Sequence, residues 1–304
     1  MRRPGPSLNG GKKEKAMSPS NEKYIEVDGI RTHYYDKGEG DVVVLLHGNS
    51  CAADLSADCA VNWNLNFSGL AESGRVIALD RIGQGYTDNP VQLENYTMAT
   101  DVAHVAAFIR TLGLRNVHLV GHSRGGYVAC RTTLEHPDLI KTLTIVDSGT
   151  LAPGQQRHDV VMAGAPMPRL VKESQRWVLQ RYSFGYEHVD DEWLDALTTV
   201  AATPKYKDAL TRMSKAVFLG HLEKQKDETL ALLRDRGMRK PTSLIWSYND
   251  PTAPIEQGHG LFEIISANEP DAQMHIINKS GHFPYREHPE HFNSVIRGWV
   301  ALHR

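Results

Sequence analysis

A serine hydroxyl is a weak nucleophile near neutral pH unless an imidazole takes its proton and a third group holds that imidazole in place. Within the 304 residues, one serine has the setting this chemistry requires. Gly121-His122-Ser123-Arg124-Gly125 follows the apolar run Asn116 to Val120 and opens a helix-compatible segment. The glycines two before and two after Ser123 leave room for a tight strand-to-helix turn, so Ser123 is the expected nucleophile. Downstream, Asp250 follows the apolar run Thr242 to Trp246, and His282 sits in a Gly281-His282 turn after Ala272 to Ile277. The expected base is His282 and the expected orienting acid is Asp250, both just past strand ends. Asp147, directly after Ile140 to Val146, is the alternative acid; Asp191 reads as a helix-start residue and Asp80 as scaffold.

Acyl transfer also needs donors for the oxygen that gains negative charge, and two convergent backbone N–H groups supply them without a buried side-chain charge. The expected pair is the N–H of Arg124, next to the nucleophile, and that of Asn49 in the His47-Gly48-Asn49-Ser50 loop. His47 reads as a loop-shaping residue. No H-E-x-x-H or clustered Cys/His spacing suggests a metal, and neither Gly83-Gln84-Gly85 nor Gly125-Gly126 completes a phosphate-binding motif. No cofactor is expected.

Elements must carry these residues. Tyr24 to Val27 and Arg31 to Tyr35 alternate as antiparallel strands around an Asp28-Gly29 turn. Asp41 to Leu46 is apolar throughout, as a strand covered on both faces requires, and Gly74 to Asp80, Asn116 to Val120, Ile140 to Val146, Thr242 to Trp246 and Ala272 to Ile277 repeat the pattern. Helical patterns at Met98 to Leu112, after Gly125, and at Ile255 to Ala267 lie between them. The fold class is therefore α/β, with a mostly parallel central sheet. Residues 151–239 break the rhythm with helical segments alone and are expected to form an inserted cap on a core of residues 21–150 and 240–304.

Composition narrows the partners. With 34 Lys+Arg against 36 Asp+Glu the net charge is −2, which gives no reason to expect nucleic acid. Residues 1–20, rich in Pro, Gly and Lys, read as a disordered leader without the apolar centre of a secretory signal. No stretch approaches the roughly 20 apolar residues that cross a bilayer. Cys51, Cys59 and Cys130 form no disulfide framework, so a reducing, cytoplasmic setting is expected. The expected partner is a small hydrophobic or aromatic substrate, and a homo-oligomer is compatible with the sequence.

With the order Ser123, Asp250, His282 in place, residues 21–304 resemble an α/β-hydrolase. More narrowly, the stretch from Glu256 to Asn293, with His47-Gly48, Trp63, Gly125-Gly126 and Asn249-Asp250, resembles the meta-cleavage-product hydrolases. These split a carbon–carbon bond in 2-hydroxy-6-oxo-2,4-dienoates during aromatic hydrocarbon catabolism. The resemblance implies Ser123 as nucleophile, His282 as base and proton shuttle, Asp250 as orienting acid, and a cap closing over an aromatic-lined cavity. Trp63 and Phe283 become candidate substrate contacts.

The chain departs from that family's pattern at His122, Arg124, Phe283 and the run Asn49-Ser50-Cys51-Ala52. Leu197 stands near the place of a cap arginine expected to hold the substrate carboxylate, leaving Arg124 and Arg181 as candidate replacements. Trp177, Tyr182, Phe184, Tyr186 and Trp193 suit a hydrophobic cap. Two other readings stay open: a capped carboxylesterase or lactonase for a small hydrophobic ester, and a non-catalytic binding protein on the same fold.

Overall fold

The computed structural model describes residues 17–49, 53–155, 157–212 and 215–304. Its strands are β1 (Glu22–Val27), β2 (Ile30–Lys37), β3 (Val42–Leu46), β4 (Arg75–Leu79), β5 (Val117–His122), β6 (Ile140–Val146), β7 (Thr242–Ser247) and β8 (Ala272–Ile277). They form one sheet in the order β1-β2-β4-β3-β5-β6-β7-β8. The first two pair as a hairpin, and β2 runs antiparallel to β4. Every later pairing is parallel. Asp28 and Gly29 close the hairpin with φ of 48° and 81°, the left-handed pair that matches strand twist in a two-residue turn.

The apolar run of β3 is explained by its neighbours. Val44 and Leu46 enter a core layer with α2 (Met98–Thr111), α3 (Arg124–Glu135) and α9 (Ile255–Ser266), while Val43 and Leu45 enter the opposite layer with α1 (Asn64–Ala71) and α11 (Pro289–Leu302). Alternate side chains thus serve opposite faces, and each buried aliphatic contributes about 1.5–3 kcal/mol. The last strand, β8, differs from the two-faced burial expected of it. It is the sheet's edge, with β7 as its one neighbour, and Ile276 is 46% exposed.

Between β6 and its neighbour β7 the chain leaves the sheet for the helical insertion: α4 (His158–Val161), α5 (Lys172–Tyr182), α6 (Asp191–Ala202), α7 (Pro204–Arg212) and α8 (Lys215–Arg236). Asp190 caps α6 by accepting from the amide of Trp193 at 2.8 Å, and Asp191 occupies the first turn. The end of α8 belongs to the sheet side: Leu230 and Leu233 pack with Trp246 and Leu261. Most of the expected leader lies outside the described residues, but its end is ordered. Ser18 is buried, and Pro19–Asn21 form a 3-10 turn ahead of β1.

Candidate active site

Ser123 occupies the turn between β5 and α3 with φ 53° and ψ −121°, a strained conformation for a side-chain-bearing residue. Its N–H donates to the Val146 carbonyl at 2.8 Å, and its own carbonyl accepts from Ser148 Oγ at 2.6 Å and the Gly126 amide at 2.9 Å. The flanking glycines are required by contact. A Cβ on Gly121 would lie 2.2 Å from the Gly125 carbonyl oxygen, and one on Gly125 would lie 2.3 Å from that of His47.

His282 Nδ1 meets Asp250 Oδ2 at 2.5 Å. A carboxylate oxygen only accepts, so Nδ1 is the donor. Asp250 is fixed in turn, its Oδ1 accepting from the Thr252 amide at 2.8 Å, Thr252 Oγ1 at 2.9 Å and the Ala253 amide at 2.9 Å. Asp147, the alternative acid, bonds elsewhere: Oδ1 accepts from the Ser247 amide and Oδ2 pairs with Ser247 Oγ, both at 2.7 Å. Burial first, and then the charge of Asp250, push the Asp147 carboxyl well above its usual range.

The backbone of His282 is held at both ends. Its amide donates to the Tyr182 carbonyl at 2.8 Å, and its carbonyl accepts from His122 Nε2 at 2.7 Å. That carbonyl fixes the His122 proton on Nε2, and burial holds the ring neutral, well below its ordinary value. The Tyr182 ring stacks on the His282 imidazole with centroids 5.0 Å apart.

Asn49 lies at φ 59° at the end of β3's loop. Arg81, fully buried, donates to the carbonyls of Gly48, at 2.8 Å, and Asn49, while its other arm pairs with Asp101 at 2.6 Å. Tying the carbonyls to Arg81 fixes the peptide planes of the loop that carries the expected oxyanion N–H of Asn49. Sequence reading did not single out this arginine; its place two residues after the end of β4 was the available signal.

Two connected cavities lie between sheet and cap. The smaller, about 60 Å³, is lined by Ser123, His282, Asn49, Arg124, Asp58 and Leu197 among others. The larger, about 660 Å³, extends between Asp54, Pro153 and α8. Asn49, Ser56, Arg124, His158 and Tyr182 line both and form the neck. Arg124 is half-buried there beside Phe218, and desolvation lowers the pKa of its guanidinium.

A model of the alpha/beta hydrolase fold family matches residues 41–289. The chain belongs to that family. This hydrolase is 26% identical over 93% of its length to 2-hydroxymuconate semialdehyde hydrolase of Pseudomonas sp. (strain CF600), covering 95% of that protein. It is 29% identical over 90% of its length to a 2-hydroxy-6-oxononadienedioate/2-hydroxy-6-oxononatrienedioate hydrolase of Burkholderia vietnamiensis, covering 93% of it. In fold it is similar to the meta-cleavage product hydrolase (CumD) of Pseudomonas fluorescens IP01, with TM-score 0.76, 23% identity, and 93% and 98% of the two chains covered.

Of the expected substrate contacts, Phe283 lines the small cavity of this hydrolase and Trp63 does not. Trp63 is fully buried in the core, its ring 4.1 Å from that of Tyr285. Arg181 is exposed and outside both linings, its guanidinium 3.4 Å from the Val161 carbonyl and over the Trp177 ring. Its position on the last turn of α5 turns it outward while Tyr182, the next residue, faces in. Phe184 and Tyr186 are likewise exposed, whereas Trp193 lines the cavity and donates from Nε1 to Asn62 Oδ1 at 2.8 Å. Cys51 lies outside the described residues.

The cap is bonded to the histidine loop by Glu287 in α10 (Pro284–Glu287). Its Oε2 accepts from the amides of Phe184, at 3.0 Å, and Gly185, at 2.9 Å, and its Oε1 from the amide of Gly281 at 2.7 Å. Arg286 reinforces the joint, donating to the carbonyls of His188 at 3.1 Å and Asn62 at 2.9 Å.

Proposed function

We propose that this hydrolase cleaves a carbon–carbon bond in a meta-ring-cleavage product of aromatic degradation, with Ser123 as nucleophile, His282 as base and proton shuttle, and Asp250 as the acid that orients it. The observation carrying this reading is the 2.5 Å bond from Asp250 to His282, which lines the same cavity as Ser123. The names of the relatives, at 25–29% identity across most of both chains, support the substrate class.

The dienol substrate first becomes its keto tautomer, which turns the departing carbon unit into a viable leaving group. Ser123 Oγ then adds to the 6-oxo carbon as His282 Nε2 takes its proton, and the amides of Asn49 and Arg124 hold the oxyanion. Collapse breaks the carbon–carbon bond, its electron pair delocalises through the enone onto the 2-oxo oxygen, and His282 returns the proton to that oxygen. Water, deprotonated by the same imidazole, releases the acyl group as a carboxylic acid and leaves a short 2-hydroxydienoate. That Arg124 lines both cavities supports a pairing of its guanidinium with the substrate carboxylate. Free, buried Cys59 and Cys130 support a reducing, cytoplasmic setting. Among the described residues, no helix is long and apolar enough to cross a membrane.

One observation favours hydrolysis of a small hydrophobic ester or lactone instead: Leu197, with Trp193 and Phe283, makes much of the small cavity apolar. Turnover of phenyl- and alkyl-dienoates beside matched neutral aryl esters separates the two. Dienoate cleavage that disappears in Ser123→Ala supports the carbon–carbon reading. Rapid ester hydrolysis by a folded parent that leaves every dienoate intact replaces it with the esterase reading.

A further inference from the structure

Tyr182, the last residue of α5, touches His282 twice. Its carbonyl accepts from the His282 amide at 2.8 Å, and its ring lies on the imidazole with centroids 5.0 Å apart and planes 23° from parallel. Other rings stand differently: that of Phe283 meets the imidazole at 68° with centroids 5.6 Å apart, and that of His122 at 57° with centroids 4.7 Å apart. Tyr182 alone among these three offers its face. The Tyr182 hydroxyl meets His158 Nδ1 at 2.8 Å, which fastens the far end of the ring to α4 of the insertion. Burial pushes the phenol above its ordinary range, so the ring is neutral near pH 7.

A base that takes the Ser123 proton becomes an imidazolium, and His282 would carry that charge at 6% exposure. Charge out of water costs free energy unless neighbours offset it. Asp250 supplies a counter-charge at the Nδ1 edge. The guanidinium of Arg124, on the wall of the same cavity, opposes a second cation there. An aromatic face carries the negative lobe of the ring quadrupole and attracts a cation within about 6 Å of the centroid. Leucine or methionine would fill the space as well. The face of Tyr182 adds an attraction that is strong for imidazolium and weak for neutral imidazole.

We propose that Tyr182 is a positioning residue for the base, its ring face favouring the imidazolium form of His282 as Ser123 gives up its proton. The proposal rests on the reading that His282 is the base, and it deepens it. The proton passes from Ser123 Oγ to the imidazole; Tyr182 neither gives nor takes one, its hydroxyl being engaged with His158. Since Tyr182 belongs to the insertion, the environment of the base is complete only with the cap seated on the core.

Fluorine draws electron density from the face of a ring while changing its shape little, so a graded series separates attraction from packing. Tyr182→Phe is compared with variants carrying 4-fluoro-, 3,5-difluoro- and 3,4,5-trifluorophenylalanine at the same position. For each, kcat/KM is measured on phenyl acetate and phenyl butyrate, together with the second-order rate at which an aryl alkylphosphonate labels Ser123. Relative to Tyr182→Phe, all three rates should fall stepwise with fluorination, by about 2-fold to 30-fold over the series, the span of a cation–π contact. A flat series overturns the proposal. So does a decline that differs between the two acyl groups, which would place the ring against the substrate instead of the base. If neither ester is turned over, the labelling rates carry the same test. Should the phenylalanine variants fail to fold, 3-fluorotyrosine and 3,5-difluorotyrosine keep the His158 contact, and rates unchanged between them overturn the proposal. His282→Ala separates this inference from the reading beneath it: labelling at the parent's rate fails His282 as base and the proposal with it, whereas lost labelling beside a flat series fails Tyr182 alone. A folded parent whose Ser123 is never labelled fails both.

Discussion

Asp147 and Asp250 follow neighbouring parallel strands and repel one another, yet Asp250 alone bonds the imidazole of His282, at 2.5 Å. Asp147 spends both oxygens on Ser247, and burial with the charge beside it pushes its carboxyl well above the usual range. The two carboxyls therefore differ in setting: one bonds the histidine proposed as the base, and the other joins the end of β6 to β7.

Exchanging each for asparagine exposes that division. Asp250→Asn presents a donor or the wrong tautomer to His282 and should lower kcat by about 100-fold to 10,000-fold. Asp147→Asn mimics a protonated acid and should leave kcat within about 3-fold of the parent, the scale of one weak contact. Steady-state kinetics on the two variants decides the matter. A crippled Asp147→Asn beside a nearly normal Asp250→Asn would reverse the assignment.

Asp147 also sets a pH dependence of stability. Its folded pKa is raised above the ordinary 3.8, so between that value and the raised one the folded state holds a proton that the unfolded state has lost. Stability from this group is complete at low pH and declines as pH rises through that window. Asp147→Asn removes the decline. Urea unfolding at a series of pH values should show the variant gaining on the parent as pH rises above the ordinary carboxylate range, and parallel curves would contradict a raised pKa at this site.

Arg124 and Arg181 began as equivalent candidates for the substrate carboxylate, and their surroundings separate them. Arg124→Met should lower kcat/KM for a dienoate about 10-fold or more, with a smaller effect on a matched neutral ester; 10-fold is about 1.4 kcal/mol of transition-state stabilisation. Arg181→Met, changed at the surface, should leave both substrates alike. Equal, small losses on dienoate and ester in Arg124→Met would remove the carboxylate role.

Gly281 is held by crowding. A Cβ there would meet the Tyr182 carbonyl oxygen at 2.3 Å and the Phe184 amide nitrogen at 2.7 Å. Gly281→Ala must push α5's end away from His282, with an expected loss of about 1–3 kcal/mol in stability and a fall in kcat. Thermal melts and kinetics below the transition would measure both, and an unchanged melt would show that the contact yields freely.

The sheet, the elbow and the order of the three residues were legible in the sequence because each depends on local pattern: apolar runs bounded by turns, and glycines where backbones touch. Arg181 and Trp63 were misjudged because the direction a side chain takes from a helix or turn depends on the neighbouring layer. Trp63 faces Tyr285, which lies far along the chain. Arg81 went unnoticed for the same reason. Its role depends on two carbonyls and a carboxylate brought together from separate segments, which no spacing rule encodes.

The bonds from Glu287 to residues 184, 185 and 281 have a consequence for how such a protein can diversify. The insertion leaves and rejoins the sheet at adjacent strands, which would let recombination exchange it as a cassette without cutting the strand order. Its seam, however, is written into the far end of the chain. A donor cap transplanted without its own counterpart of residues 281–287 would arrive with a mismatched hinge against the imidazole, so inheritance of new specificities should proceed by paired replacement of both segments.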